Sequence, residues 1–474
     1  MDASRTVDPP RFDPPCGPVR GWADGAVLRA TGIPYARAGR FEAPVPAPDH
    51  AEVLDATAPS PACPQQPSPF LDRMLGPVLG GLPTDEDCQR LSVTLPRTTP
   101  PEDGFPVLVW VHGGSYAAGA GDSPGLDPAR LVAEQDVVVV AVTYRLGLFG
   151  CLGDGGDRPA NLALLDLLTA LRWVRRNIAA FGGNPGCVTA FGQSAGGDAV
   201  AHLLAAGGEE LVERVILQSA PLGIRTGRAP MTAAMNAAAG RVDRTSGTEE
   251  VLAEEAGVVA AATGLGLRRF MPFGTQYGHG PLPAEGEVAA AWDAAAPGVD
   301  VLIGHTTHEA RFFYPVQPLA GRAVRVPVLG PLLDRALNAV VTRSVYAAAG
   351  TAFAARHARA GGRAWRYVVT WGPDNAWGST HTVDLPLLLG DERTWAGAEL
   401  LRGTEWSRVE EAGRALRAVW ADFARGNGLP ERGGIPGVLH WRRVRPRRTR
   451  RRAPVLQRAP RRRADVGRSP SPVS

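Results

Sequence analysis

The chain has 474 residues, 44% of them hydrophobic and 21% charged, enough to bury one large core and unlike disordered, fibrous or disulfide-scaffold proteins. Its formal charge of +4 is unevenly spread: thirteen Arg stand against the single acid Asp465 between Arg442 and Arg468, so the remainder is acidic, roughly −8, which argues against a nucleic-acid groove built into the fold. All 51 basic residues are Arg, and the absence of Lys excludes Walker-type phosphate loops, protein-kinase chemistry and Schiff-base or pyridoxal enzymes.

No apolar run approaches the roughly 18 residues that span a bilayer. The start, MDASRTVDPP, has no apolar leader, so the expectation is a soluble, cytoplasmic protein without a membrane or nucleic-acid partner, monomeric or weakly oligomeric. The five Cys (Cys16, Cys63, Cys88, Cys151, Cys187) include no CxxC pair, and neither a structural zinc nor another cofactor is expected.

In chain order, Val107–Val111 reads as a short strand entering a Gly-Gly turn, and Asp136–Tyr144 as a second, fully buried one of the parallel-sheet kind. Leu162–Phe181 follows as a helix, with Leu164, Leu168, Leu171, Val174 and Ile178 on one face and Gly182-Gly183 as its stop. A strand at Cys187–Phe191 leads through a glycine-flanked turn into a helix carrying Val200, Leu203 and Leu204. Further strands are predicted at Val212–Leu217, Val299–Ile303 and Ala364–Thr370, and a last amphipathic helix at Trp406–Arg425. Between Ala220 and Glu287 periodicity is weak, and helices and loops capping a site are expected. The pattern is that of one α/β domain over residues 1–441 with a mostly parallel, twisted central sheet, followed by an Arg/Pro-rich tail over 442–474, disordered or the product of a frameshift.

Chemistry-bearing motifs sit at the strand ends. Gly192-Gln193-Ser194-Ala195-Gly196 lies between a strand and a helix, the context of a nucleophile elbow, where flanking glycines permit a sharp turn that exposes the hydroxyl. His112-Gly113-Gly114-Ser115 follows its own strand, as do loops whose backbone N–H groups bind a tetrahedral oxyanion; the expected donors are Gly114, Ser115 and Ala195. With the order Ser, acid, His, the base lies among His305, His308, His357, His381 and His440. His381 occupies a small-residue loop after a strand and is preferred, and Glu309, just past the strand Val299–Ile303, is the expected acid.

With these motifs in order, the chain resembles the type-B carboxylesterase family, which includes bacterial para-nitrobenzyl esterases and cholinesterases. Further matches are Gly32-Ile33-Pro34-Tyr35-Ala36, Glu86-Asp87-Cys88, Tyr144-Arg145-Leu146-Gly147, Phe181-Gly182-Gly183-Asn184-Pro185 and Gln218-Ser219, over roughly Gly17 to Trp441. The resemblance implies the α/β-hydrolase fold, hydrolysis of small to medium apolar carboxylic esters through a serine acyl-enzyme, a supporting role for Ser219 beside the triad, and a Cys63–Cys88 disulfide that a cytoplasmic thiol pool would keep open. Ser115 stands where the family carries Gly or Ala, and the segment after Ala220 is short. The alternative is a non-catalytic adhesion or scaffold member of the same fold, or a product weakened by its tail.

Overall fold

The valine-rich runs near residues 107 and 138 have no polar face, so they are stable only where both sides of a sheet are covered. In the computed structural model, which describes residues 9–262 and 266–446, they form the centre of an eleven-stranded sheet. Its strands in chain order are β1 (Trp22–Asp24), β2 (Val27–Pro34), β3 (Arg90–Pro96), β4 (Phe105–Val111), β5 (Val138–Val142), β6 (Gly183–Gln193), β7 (Arg214–Gln218), β8 (Asp300–Thr306), β9 (Ala364–Val369), β10 (Arg432–Ile435) and β11 (Leu439–Val444). Across the sheet they run β10-β11-β9-β8-β7-β6-β4-β5-β3-β2-β1. The middle, from β9 to β5, is parallel, and antiparallel strands flank it on both sides. This is the mixed sheet of the α/β-hydrolase fold.

Side chains alternate along β4 into two cores. Val107, Val109 and Val111 enter one with the helix α1 (Leu162–Asn177) and the helix α2 (Ala195–Leu203). Leu108 and Trp110 enter the other, opposite, with Val409, Leu416, Trp420 and Phe423 of the final long helix α7 (Trp406–Ala424). Between these lie α3 (Thr248–Ala260), α4 (Pro318–Ala323), α5 (Gly330–Val341) and α6 (Ala348–Arg359). Residues 220–287 contain helices and loops, as expected, with α3 the longest helix there.

Two boundaries differ from the sequence reading. The helix from Leu162 stops at Asn177 and continues as one tight turn, Ile178–Phe181. The folded domain also runs past residue 441: β11 pairs Arg442 with Arg366 and Val444 with Ala364. Arginines are tolerated on this strand because one of them, Arg443, lays its guanidinium over the Trp365 ring at 5.4 Å. The rest of the expected tail, from residue 447 onward, lies outside the described residues.

Candidate active site

Strand β6 ends where α2 begins, and Ser194 occupies the corner with φ 57° and ψ −121°, a conformation that non-glycine residues seldom adopt. The corner is this tight because α2 packs directly on the strands. A Cβ on Gly196 would lie 2.0 Å from the Val111 carbonyl oxygen, and one on Gly192 would lie 2.5 Å from the Gly196 carbonyl carbon. The Ser194 N–H donates to the Gln218 carbonyl at 2.8 Å, which fastens the corner to β7.

The loop after β4 faces this corner. Gly114 has φ 108°, and a Cβ there would come 1.9 Å from the Ala118 oxygen; Ser115 and Tyr116 both hold φ 59°. The turn is closed by the Ala117 and Ala118 amides, which donate to the Gly114 carbonyl, and the Tyr116 hydroxyl donates to Asp198 of α2 at 2.8 Å. Among the described hydrogen bonds none uses the N–H of Gly114, Ser115 or Ala195 as donor, so three amides stand available beside Ser194. His112 is fully buried and stacked on Tyr144, and burial pushes its imidazole down to about 4, which keeps it neutral as a support for the loop.

Glu309 is fully buried just beyond β8. Its Oε1 accepts from the Ser219 hydroxyl and from the Thr306 N–H, both at 2.7 Å, and its Oε2 lies 2.5 Å from Nδ1 of His381. Burial alone would raise this carboxyl, but the facing His381 and the bonds from Ser219 and Thr306 prevail and hold it below the usual carboxylate range. With Nδ1–H given to Glu309, the Nε2 of His381 carries a free lone pair. That nitrogen lies 3.3 Å from the Gln193 side-chain amide, which donates to it, and it makes no hydrogen bond to the Ser194 hydroxyl. The ring is walled by Phe312, Phe313 and Tyr346, with centroids 5.2 to 5.8 Å away.

Ser194, His381, Gly114 and Ser115 open onto one cavity of about 440 Å³ with a largely apolar and aromatic lining. Of the other histidine candidates, His357 on α6 bonds the Val299 carbonyl and His440 sits within β11; His305 turns its Nδ1 to the Thr306 carbonyl, and His308 pairs its backbone with Ser379 and Thr380 while its Nδ1 meets the Thr307 hydroxyl. Cys63 and Cys88, the pair that the resemblance implies, are both buried and stand as free thiols. The adjoining Cys63 and burial push the Cys88 thiol up, which favours its protonated, unreactive form. The sequence reading did not include Thr306, Gln193 or the aromatic wall. Only Phe312 and Phe313, three and four residues past Glu309, left a sequence signal.

The carboxylesterase family model matches residues 9–324. The chain is 38% identical over 419 residues to a probable N-octanoylanthranilate hydrolase of Rhodococcus erythropolis, covering 86% of this chain and 91% of that one. It is 32% identical over 449 residues to the para-nitrobenzyl esterase of Bacillus subtilis, covering 86% and 88%. A solved thermophilic para-nitrobenzyl esterase superposes with a TM-score of 0.74 at 29% identity, over 90% of this chain and 93% of that one. The chain belongs to the carboxylesterase family, and its class is that of the carboxylic ester hydrolases.

Proposed function

We propose that the chain hydrolyses small to medium apolar carboxylic esters through an acyl-enzyme on Ser194. In this reading the substrate carbonyl sits against the amides of Gly114, Ser115 and Ala195, Ser194 attacks it, and Nε2 of His381 takes the serine proton as the hydroxyl replaces the Gln193 amide at that nitrogen. The ionised Glu309 stabilises the imidazolium that forms, and Ser219 and Thr306 hold the carboxylate toward the ring. His381 then protonates the departing alkoxide, and a water activated by the same ring releases the acid. The carrying observation is the hydrogen-bonded chain Ser219–Glu309–His381 ending beside Ser194 in an apolar cavity. The lining favours uncharged substrates, since a charge would lose its hydration there. Five free cysteines accord with a reducing, cytoplasmic site of action, and among the described residues no helix is long and apolar enough to cross a membrane.

Stopped-flow hydrolysis of a para-nitrophenyl ester tests this. A burst of about one equivalent of nitrophenol per chain is expected, and Ser194→Ala should lower turnover by on the order of 10⁶. A variant keeping a tenth of the wild-type rate would exclude Ser194 as nucleophile. No observation favours the adhesion or scaffold reading, in which triad groups are dispensable.

A further inference from the structure

Exposed apolar side chains are ordinarily scattered singly over a soluble protein, so a cluster of them carries information. Twelve large apolar side chains are exposed among the described residues, and eight of these fall between residues 316 and 340. Leu319 and Val328 are 83% and 87% exposed, followed by Leu332, Val340 and Leu329 at 60%, 58% and 56%. Val328 sits in the turn between α4 and α5 at φ 66°, a left-handed conformation that a β-branched residue rarely holds. In water both the strain and the exposure are unfavourable; the exposure becomes favourable once the turn enters an apolar phase.

The inner face of the same helices is half-buried. Ala320 of α4 and Leu337 and Val341 of α5 line a second apolar cavity of about 240 Å³ that reaches Ser115 and Ser194. The two helices pack chiefly on each other and on the flanking segments 309–316 and 342–347, so they form a thin wall between the nucleophile and the exterior. Around the outer apolar face stand Arg322, Arg325, Arg335 and Arg343, all exposed, and none of them joins an ion pair among the described residues. The one carboxylate of the segment, Asp334, is already held by Arg311 at 2.7 Å and by Tyr314 and Asn338.

An apolar turn rimmed by four uncompensated guanidinium groups matches an anionic headgroup layer over acyl chains. A second copy of this chain fits less well, because a symmetric contact brings the same arginines face to face. We propose that α4, the 324–329 turn and α5 dock the protein on an anionic phospholipid surface and turn the Ser194 cavity toward esters dissolved in it. The docking stands apart from the reaction; only its benefit to catalysis rests on the Ser194 reading. It departs from the composition-based expectation of no membrane partner, because composition does not record how apolar residues cluster.

The test is co-sedimentation of the full chain with phosphatidylglycerol-containing vesicles and with pure phosphatidylcholine vesicles, beside a triple variant, Leu319→Ser, Val328→Ser and Leu332→Ser, which keeps every arginine. Hydrolysis of soluble para-nitrophenyl acetate monitors folding. Wild type should bind the anionic vesicles, less so as salt rises from about 0.05 to 0.5 M. The triple variant should bind on the order of tenfold less or weaker still, with acetate turnover unchanged. Equal binding by the variant, which would assign the attraction to arginines alone, overturns the proposal. So does an absence of wild-type binding, or a wild-type dimer in ultracentrifugation that the triple variant dissociates. A chain inactive on acetate that still binds vesicles in this pattern would refute the Ser194 reading and leave docking intact.

Discussion

At Glu309 a buried carboxylate is kept ionised by three partners, and Ser219 contributes one of them without reaching substrate. A hydrogen bond to a charged group is worth about 1.5–3 kcal/mol. Ser219→Ala should therefore lower kcat by on the order of 10–100-fold while KM stays nearly constant, since the bond matters most when His381 becomes cationic. Steady-state kinetics with a soluble aryl ester check this, and an unchanged kcat would make Ser219 a packing residue. The candidates Ser194 and His381 were legible in the sequence because each sits in a short window of small residues, and Glu309 because it stands just past a strand. Gln193 was not legible, since its contact with His381 spans 188 positions and no local pattern encodes it. Thr306 contributes a backbone N–H, which any residue supplies, and so leaves no side-chain signature.

Elements bring these residues together through close backbone approach. Gly196 lets α2 lie on the end of β4, so that the elbow and the oxyanion loop share one frame. Gly196→Ala puts a methyl 2.0 Å from the Val111 oxygen, which α2 can relieve only by moving away from β4. Displacement of this kind should lower kcat by on the order of 10² and cost about 1–3 kcal/mol of stability. Thermal melting and turnover measured together check it; full activity would mean that the elbow tolerates the shift. The parallel strands of the sheet centre were readable as short apolar runs, because burial on both faces removes polar residues. The flanking antiparallel strands were not. In β10 and β11 Arg and Gly interrupt the apolar pattern, and α4 spans only six residues, too few to show a period.

For the whole molecule, buried charge near the site links stability to pH. Asp384 is fully buried; burial pushes its carboxyl up to about 6, against the opposing hydrogen bond that Gln218 donates at 2.6 Å. A carboxyl raised in the folded state holds its proton more tightly there than in the unfolded chain. Its favourable contribution is therefore full below about pH 4 and is lost as pH rises through about 6, amounting to about 3 kcal/mol at most. Asp384→Asn removes that loss, so the variant should melt higher than wild type at pH 8, with the gap narrowing at pH 5. Glu309 acts with the opposite sign: its carboxyl is lowered, so its contribution is present at neutral pH and fades on acidification. A melting difference independent of pH would show that Asp384 does not titrate as its burial requires. The acidic body and basic end were visible in composition, whereas the docking surface needed the three-dimensional arrangement of residues scattered over 316–340.

Nucleophilic catalysis at Ser194 is tested most directly by trapping. The chain is treated with a fluorophosphonate and digested, and the modified peptide is identified by mass spectrometry. One adduct per chain is predicted, on the hydroxyl of Ser194 in the Gly192–Gly196 peptide, formed in step with loss of esterase activity and absent from Ser194→Ala. An adduct on another residue, or full loss of activity with Ser194 unmodified, would contradict it.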